Sequence, residues 1–383
     1  MASLPTIPPS PSRGQSSPLV THVVRQFLPN RGGLEDVVAN LARQTLEAGF
    51  RVKVVTLDTL FTAREQKLAP HEYLDGIEIV RIPWRGSSRY PLAPTVFRHL
   101  GDADIVHVHA IDFFFDALAI GRLMHRKPMV ATTHGGFFHT QAYAALKTVW
   151  FNSLTRFSAS AYRNIVCCSA SDMSQFAQIA SSRCVLIENG VDIGKFANSA
   201  SRTPQRRIVT IGRFSLNKGL ANLVATVASL PSEWTLDIIG AESDLKRSDL
   251  EQVIEGHHLS SRIRVHVEPE NDQIRELLAQ ASIFASASDY EGFGLVALEA
   301  MSAGLCPVLN PNEAFQTLAQ RHQEITLADF HNPKKSADAI EAAFQRLSGD
   351  DETVRTNLMN EARGYSWDFA GKRYLELYRD ILS

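Results

Sequence analysis

The sequence has few of the features that commit a chain to a special class. Only four cysteines occur in 383 residues: Cys167, Cys168, Cys184 and Cys306. Two are adjacent inside an apolar run and none forms a C-x-x-C pair. A zinc ribbon and a disulfide framework are therefore excluded, and a reduced compartment is expected. No uninterrupted apolar stretch approaches the roughly 20 residues needed to span a bilayer. Residues 1–18 are rich in Pro and Ser and lack the basic start and apolar core of a secretory signal; they read as a disordered tail. A protein of the cytoplasm, or one peripheral on a membrane's inner face, is expected. The net charge of −2 gives no surface excess of cations, so no nucleic-acid partner is expected. There is no G-x-G-x-x-G fingerprint and no short-period repeat, which argues against a dinucleotide site, a solenoid or a propeller. What remains is an ordinary globular composition, 44% hydrophobic and 21% charged, in a length suited to two domains.

Short apolar runs alternate with amphipathic segments, the pattern of parallel sheets with crossover helices. Val20–Val24, Val52–Thr56, Ile77–Arg81, Ile105–His109, Met129–Thr133, Ile165–Cys168 and Val185–Ile187 read as strands of a first half. The polar segment Asn198–Arg207 reads as a linker. A second alternation follows through Ile208–Ile211, Leu236–Ile239, Ile263–Val267, Ile283–Ala285 and Pro307–Leu309. The expected fold is α/β: two doubly wound Rossmann-like domains, 19–203 and 204–365, with a cleft between them. A last helix over 366–383 carries Phe369, Tyr374, Leu375 and Tyr378 along one side. Ligands are expected at the carboxyl ends of the strands.

Chemistry concentrates in Asp289-Tyr-Glu291-Gly-Phe-Gly-Leu-Val-Ala-Leu-Glu299. A glycine-broken loop carries Glu291 and an apolar helix carries Glu299 about one turn in. Helical side chains lean toward the N-terminus, so both carboxylates can reach one space. The helix start offers free N–H groups and a positive dipole end for an anion. Carboxylates beside a phosphate need hydroxyl donors, and phosphate with many hydroxyls describes a nucleotide sugar. Gly212-Arg213-Phe-Ser-Leu-Asn-Lys218-Gly219 follows a strand and puts two cations where a departing diphosphate would build charge. Gly32-Gly33, between the first strand and helix, suits either a phosphate approach or a plain tight turn.

Four histidines lie at strand ends. His107 and His109 share a face of one strand, and Thr133-His134-Gly-Gly-Phe-Phe-His139 follows another. No acidic or cysteine partner stands at zinc spacing, so no metal is assigned; hydrogen bonds to a sugar or to loop backbone are expected. Asp102-Ala-Asp104 precedes a buried strand instead of ending one, and reads as a connecting loop. Residues 142–163 mix Trp150, Phe151 and Phe157 with Lys147, Arg156 and Arg163. This suits either an interfacial helix on anionic lipid or an amphipathic helix packed on the sheet.

Taken together, Gly32-Gly33, His134, Glu188-Asn-Gly-Val-Asp192, Arg213…Lys218 and Glu291-x7-Glu299 resemble the retaining glycosyltransferases of family 4, with the GT-B fold, from about Leu19 to the last residue. Gly86-Ser-Ser-Arg-Tyr-Pro-Leu-Ala-Pro94, Ile111-Asp-Phe-Phe-Phe-Asp116 and Thr133-His-Gly-Gly-Phe-Phe-His-Thr140 are similar to the bacterial α-mannosyltransferases of xanthan and acetan assembly. The resemblance implies transfer of mannose from GDP-mannose to a polyprenyl-diphosphate-linked cellobiose, α-1,3, in exopolysaccharide assembly. It implies Gly33 against the donor phosphate and His134 beside the reacting sugar. Arg213 and Lys218 hold the diphosphate, Glu291 the sugar hydroxyls and Glu299 the ribose, with backbone support from Phe293, Gly294 and Leu295. It further implies no metal or other cofactor, and retention by front-face attack with the leaving phosphate as base. His109, Asp112 and His139 are candidates for the acceptor. Two segments depart from many relatives: Gly240-Ala-Glu242 stands in place of G-x-G, and Asn310-Pro-Asn-Glu313 in place of a Gly-Gly…Glu motif. A UDP-sugar donor, and a non-catalytic nucleotide-sugar-binding protein, are the alternatives.

Overall fold

The computed structural model describes residues 17–30, 32–135 and 149–383. The Pro/Ser-rich segment 1–16, His139 and residues 142–148 lie outside the described residues.

The first sheet has eight strands. In chain order they are Leu19–Val23 (β1), Arg51–Leu57 (β2), His71–Leu74 (β3), Ile77–Ile82 (β4), Ile105–His109 (β5), Met129–Thr132 (β6), Asn164–Cys167 (β7) and Cys184–Leu186 (β8). Their spatial order is β8-β7-β6-β5-β1-β2-β4-β3. All pairs are parallel except β3 on β4. The second sheet is wholly parallel. It comprises Arg207–Ile211 (β9), Thr235–Gly240 (β10), Ile263–Val267 (β11), Ile283–Ser286 (β12), Cys306–Leu309 (β13) and Thr326–Leu327 (β14), in the order β11-β10-β9-β12-β13-β14. The strand order reverses between β1 and β5 in one sheet and between β9 and β12 in the other. Such switch points open a crevice beyond the strands' carboxyl ends. Here they set the strand end at His109 beneath the crevice of one lobe, and the loops from Gly212 and Ala287 beside that of the other.

Every apolar run read as a strand is a strand, with ends shifted by a residue or so. The sequence reading missed β3, β14 and two small hairpins, Thr59–Leu60 with Ala63–Lys67 and Arg85–Ser87 with Tyr90–Leu92. They are short and largely exposed, so they lack the buried alternation that marks a strand.

The helices that matter here are Gly33–Glu47 (α1), Phe113–Ile120 (α2), Ala170–Ala180 (α3), Leu220–Ser229 (α4), Leu295–Ala303 (α5), Glu313–Arg321 (α6) and Trp367–Leu382 (α7). On α7 the buried residues are Trp367, Ala370, Gly371, Tyr374, Leu375 and Tyr378, a helical stripe. Phe369, expected on that stripe, is 59% exposed. It lies two positions from Trp367, so it points off the stripe. The stripe packs with Val20, Leu41, Ile105 and Val130 on one face of the first sheet. Burying each large side chain contributes about 1.5–3 kcal/mol, which ties the chain's end to the first lobe. Gly190 makes the junction: a Cβ there would stand 2.4 Å from the Trp367 ring.

The polar segment Asn198–Arg207 is bonded to the second lobe. Asn198 and Ala200 donate to Ser302 and Ala303, Ser201 donates to Ala281, and the Arg355 guanidinium donates to the Ser201 carbonyl. Asp102 and Asp104 are structural, as the connecting-loop reading expects. Asp102 pairs with Lys53 at 2.7 Å, and Asp104 accepts the Leu19 N–H.

Candidate functional site

On the second lobe, β9 is followed by Gly212, whose φ of 157° suits glycine. A Cβ on Gly240 would lie 1.8 Å from the Gly212 carbonyl. Gly240 therefore persists in the departing Gly240-Ala-Glu242 segment because two strand ends touch there. Lys218 ends a short turn before α4 and reaches Glu291, with Nζ–Oε1 at 2.5 Å. Arg213 is exposed and lines a small recess with Lys218, Ser286 and Ser288. The other departing segment, Asn310–Glu313, also has a structural account. Asn310 and Asn312 both donate to the Ser288 carbonyl, and Asn312 caps α6 by accepting the Phe315 N–H. Side-chain amides brace this loop.

Gly294, at φ 85°, turns the chain into α5. A Cβ there would press on Phe315 and Leu318. Leu295 starts the helix, leaving its first N–H groups without helical partners. Glu299 sits one turn in, as read from sequence. Burial raises its carboxyl above the usual range, and Lys195 stands 3.9 Å away. Lys195 was not anticipated; its signal is the cation three residues beyond Asp192, whose backbone and carboxylate hold the Lys195 N–H.

On the first lobe, a Cβ on Gly32 would lie 2.6 Å from Glu35 Oε2, whereas one on Gly33 meets nothing within 4 Å. Glu35 would have to shift to admit a side chain at Gly32, whereas packing among the described residues does not require glycine at Gly33. Glu35 accepts from Asn30 at 2.8 Å, and burial pushes its carboxyl upward. The charge of Arg25 acts on Glu35, Asp112 and His134 together. It was missed because a lone Arg after a strand has no motif.

His134, at φ 54°, follows β6. Its Nε2 is 2.9 Å from His109 Nδ1, and His109 Nε2 is 2.9 Å from His22 Nδ1. His109 is fully buried with both nitrogens engaged. It is therefore not a contact for an incoming acceptor, which corrects that expectation. Asp112 is also buried. Its Oδ1 caps α2 by accepting the Phe114 N–H, its Oδ2 has no partner among the described residues, and burial pushes its pKa up to about 7. Nitrogens of His22, His107 and His109 gather within 4.8 Å. Yet His107 bonds Tyr378 and Thr132, at 2.6 and 2.7 Å, so only His22 Nε2 is unengaged among these rings. A cation would have to break that network.

Between the lobes lies a cavity of about 150 Å³, with Thr133, Asp172 and Glu188 facing Glu291, Glu313 and Arg321. Asp172 accepts from Thr133 Oγ1 at 2.5 Å and from the Gly135 N–H at 3.2 Å, and so holds the loop on both sides of His134. Its signal was legible: Ser169-Ala-Ser-Asp172 after a strand is a capping pattern, and Ser169 does cap α3. Arg321 bonds Glu188 at 2.8 and 3.0 Å. The structure thus brings Lys218 to Glu291 and sets the His134 loop across the cavity from Glu291 and Phe293. Gly33 and Glu299 lie outside the wall of this cavity.

The model of "Glycosyltransferase Family 4" matches residues 31–195, and that of "Glycosyl transferases group 1" matches residues 194–363. The chain is 42% identical over 368 residues to a GDP-mannose:cellobiosyl-diphosphopolyprenol alpha-mannosyltransferase of Xanthomonas oryzae pv. oryzae, covering 95% of this chain and 97% of that protein. A protein of the same description from Komagataeibacter xylinus is 41% identical, covering 97% and 96%. Among solved structures, a glycosyltransferase from Rickettsia africae superposes with a TM-score of 0.73 at 18% identity, covering 96% of this chain and all of that one. A sucrose-phosphate synthase from Thermosynechococcus elongatus gives 0.72 at 17%, covering 95% and 99%. These likenesses establish the two-lobed GT-B fold.

Proposed function

The chain belongs to the family 4 glycosyltransferases, and on that premise we propose that it moves mannose from GDP-mannose to a polyprenyl-diphosphate-linked cellobiose with retention of configuration. The observation that carries this reading is the Lys218–Glu291 pair at a strand-order switch point, in a chain 41–42% identical over nearly its whole length to enzymes of that description. Lys218 and Arg213 take the two phosphates. Glu291 receives hydroxyl donors of the mannose, and Glu299, one turn into α5, receives those of the ribose. Gly33 leaves the α1 N-terminus open to phosphate. His134 stands beside the transferred sugar.

In the reaction the acceptor hydroxyl oxygen bonds to the anomeric carbon as the bond to the diphosphate oxygen breaks. The hydroxyl proton passes to the departing phosphate, giving GDP and the α-mannoside. Preorganised cations matter most for the charge on the departing oxygen, where one donor contributes about 3–4 kcal/mol. The reading needs no metal, because Arg213 and Lys218 supply the countercharge.

A lipid-linked acceptor calls for a membrane face. No helix among the described residues is long and apolar enough to cross a bilayer. Val149, Trp150 and Phe157 are exposed beside Arg156, and Leu123, 85% exposed, stands with Met124 beside Arg122 and Arg126. Exposed apolar side chains among cations suit the headgroup boundary of an anionic leaflet. These patches support the reading that the enzyme works at the cytoplasmic face of the membrane.

The test is incubation with radiolabelled GDP-mannose, and in parallel UDP-glucose, each with a cellobiosyl-diphosphate lipid. Label should enter the lipid only from GDP-mannose. Incorporation only from UDP-glucose would replace the donor, and none from either would remove the reading.

A further inference from the structure

Beneath the cleft runs a file of three imidazoles in which each ring contacts the next through one nitrogen. His22 Nδ1 meets His109 Nε2 at 2.9 Å, and His109 Nδ1 meets His134 Nε2 at 2.9 Å. The file crosses three strands or strand ends: β1, β5 and the loop after β6. Its inner end is His22 Nε2, buried with no partner among the described residues. Its outer end is His134 Nδ1, whose recorded neighbour is the Cys168 sulfur at 4.0 Å.

From this geometry we infer that His109 is a positioning residue: anchored by His22, it donates to His134 Nε2 and so fixes His134 as the Nδ1–H tautomer, which offers its N–H to an oxygen of the transferred sugar.

The direction of the file follows from its two ends. Burial lowers the pKa of His22 and of His134 to about 3 and holds His107 and His109 well below the usual histidine range. All are neutral at pH 7, so each ring has one N–H and one lone pair. Only two arrangements then satisfy both internal bonds. In one, hydrogens point from His22 toward His134, leaving a lone pair at the buried His22 Nε2. In the other they point inward and bury an N–H there. Orphaned buried donors are the rarer outcome. The outward direction therefore holds, with N–H on His22 Nδ1, His109 Nδ1 and His134 Nδ1. Cys168 fits this end: burial pushes its thiol up to about 12, so its sulfur is a neutral, weak acceptor that matches an N–H on His134 Nδ1. Which nitrogen of a histidine carries the proton is set by the bond its other nitrogen makes.

His107 lies next to this file without joining it. Its ring is 4.1 Å from that of His109, but its nitrogens bond Tyr378 and Thr132. The inference thus separates two histidines on one strand face: His107 ties α7 to the sheet, and His109 orients His134.

The inference rests on the placement of His134 beside the sugar, and the experiments separate the two. Long-range proton–nitrogen NMR on protein carrying 15N-histidine reads each tautomer, with assignment by single substitution. Wild-type His134 should show N–H at Nδ1. His109→Asn, whose amide nitrogen replaces Nδ1, should keep that tautomer and most of the turnover. His109→Phe should lose it and lower kcat on the order of 10-fold, with KM for GDP-mannose within about twofold and a native circular dichroism spectrum. N–H at Nε2 of wild-type His134 would overturn the inference without any variant. So would full kcat in folded His109→Phe. Full turnover in His134→Ala would instead overturn the placement of His134 at the sugar, which the tautomer measurement does not address.

Discussion

His22 gives a stability prediction with a definite sign. Its ring is fully buried, and burial lowers its pKa from 6.5 to about 3. A group whose folded pKa is depressed contributes stability that is present above its unfolded pKa. That stability is lost as pH falls toward the folded value. For His22 the window runs from about 6.5 down to about 3. Between pH 7.5 and pH 5 the unfolded chain takes up nearly a full proton at this site and the folded chain almost none. Linkage puts the loss at about 2 kcal/mol. Asp112 acts in the opposite direction, because its raised pKa of about 7 favours folding as pH falls. The wild-type slope alone is therefore uninformative, and the comparison must be with His22→Phe, which keeps a ring and cannot titrate. Urea unfolding followed by tryptophan fluorescence at both pH values gives the stability gap between the two proteins. The gap should shift by about 2 kcal/mol in favour of His22→Phe at the lower pH. A gap constant to within about 0.5 kcal/mol, against that expectation, would show that His22 is not held neutral and would refute the burial argument.

Lys218→Ala should lower kcat by about 10²-fold or more, the cost of one preorganised donor, with a native circular dichroism spectrum. A variant within threefold of wild type would contradict the diphosphate role. Glu291→Ala should likewise reduce transfer strongly while folding is kept, since its carboxylate is already partly open to solvent; unchanged turnover would sink the site. EDTA should leave the rate unaltered, and restoration of a lost rate by Mn²⁺ or Mg²⁺ would oppose a metal-free reaction. Trp150→Glu should reduce co-sedimentation with anionic vesicles; equal sedimentation would assign that face to ordinary solvent exposure.

The sequence was most informative where burial and chemistry coincide. Buried parallel strands read as continuous apolar runs, so both sheets were legible, and the lone acid in the apolar run of α5 marked Glu299. The edge elements were not legible, because His71–Leu74 and Ala63–Lys67 are largely exposed and carry no buried face. Within the site, Lys218 and Glu291 were read as serving different parts of one donor, and their direct contact was not anticipated. His107 and His109 were correctly put on one face, but their different fates depend on distant partners. Tyr378 lies 271 residues from His107, and His22 lies 87 from His109. No local pattern encodes such pairings. The same holds for Gly190, which is glycine because Trp367 returns to it.

The Lys218–Glu291 contact also bears on selectivity. With both side chains about one-fifth exposed, each charge is compensated by the other at 2.5 Å. A bare diphosphate could draw Lys218 away only by leaving Glu291 without its cation and facing an added negative charge. A free sugar could donate to Glu291 but offers Lys218 no anion. A nucleotide sugar supplies both at once, anion to the cation and hydroxyls to the carboxylate, in one covalent frame. Breaking such a pair by satisfying one partner alone is costly, because the other is left partly desolvated. On the roles proposed for Lys218 and Glu291, the pair would act as a two-part lock, and nucleotide sugar should bind more tightly than the affinities of nucleoside diphosphate and free hexose would suggest.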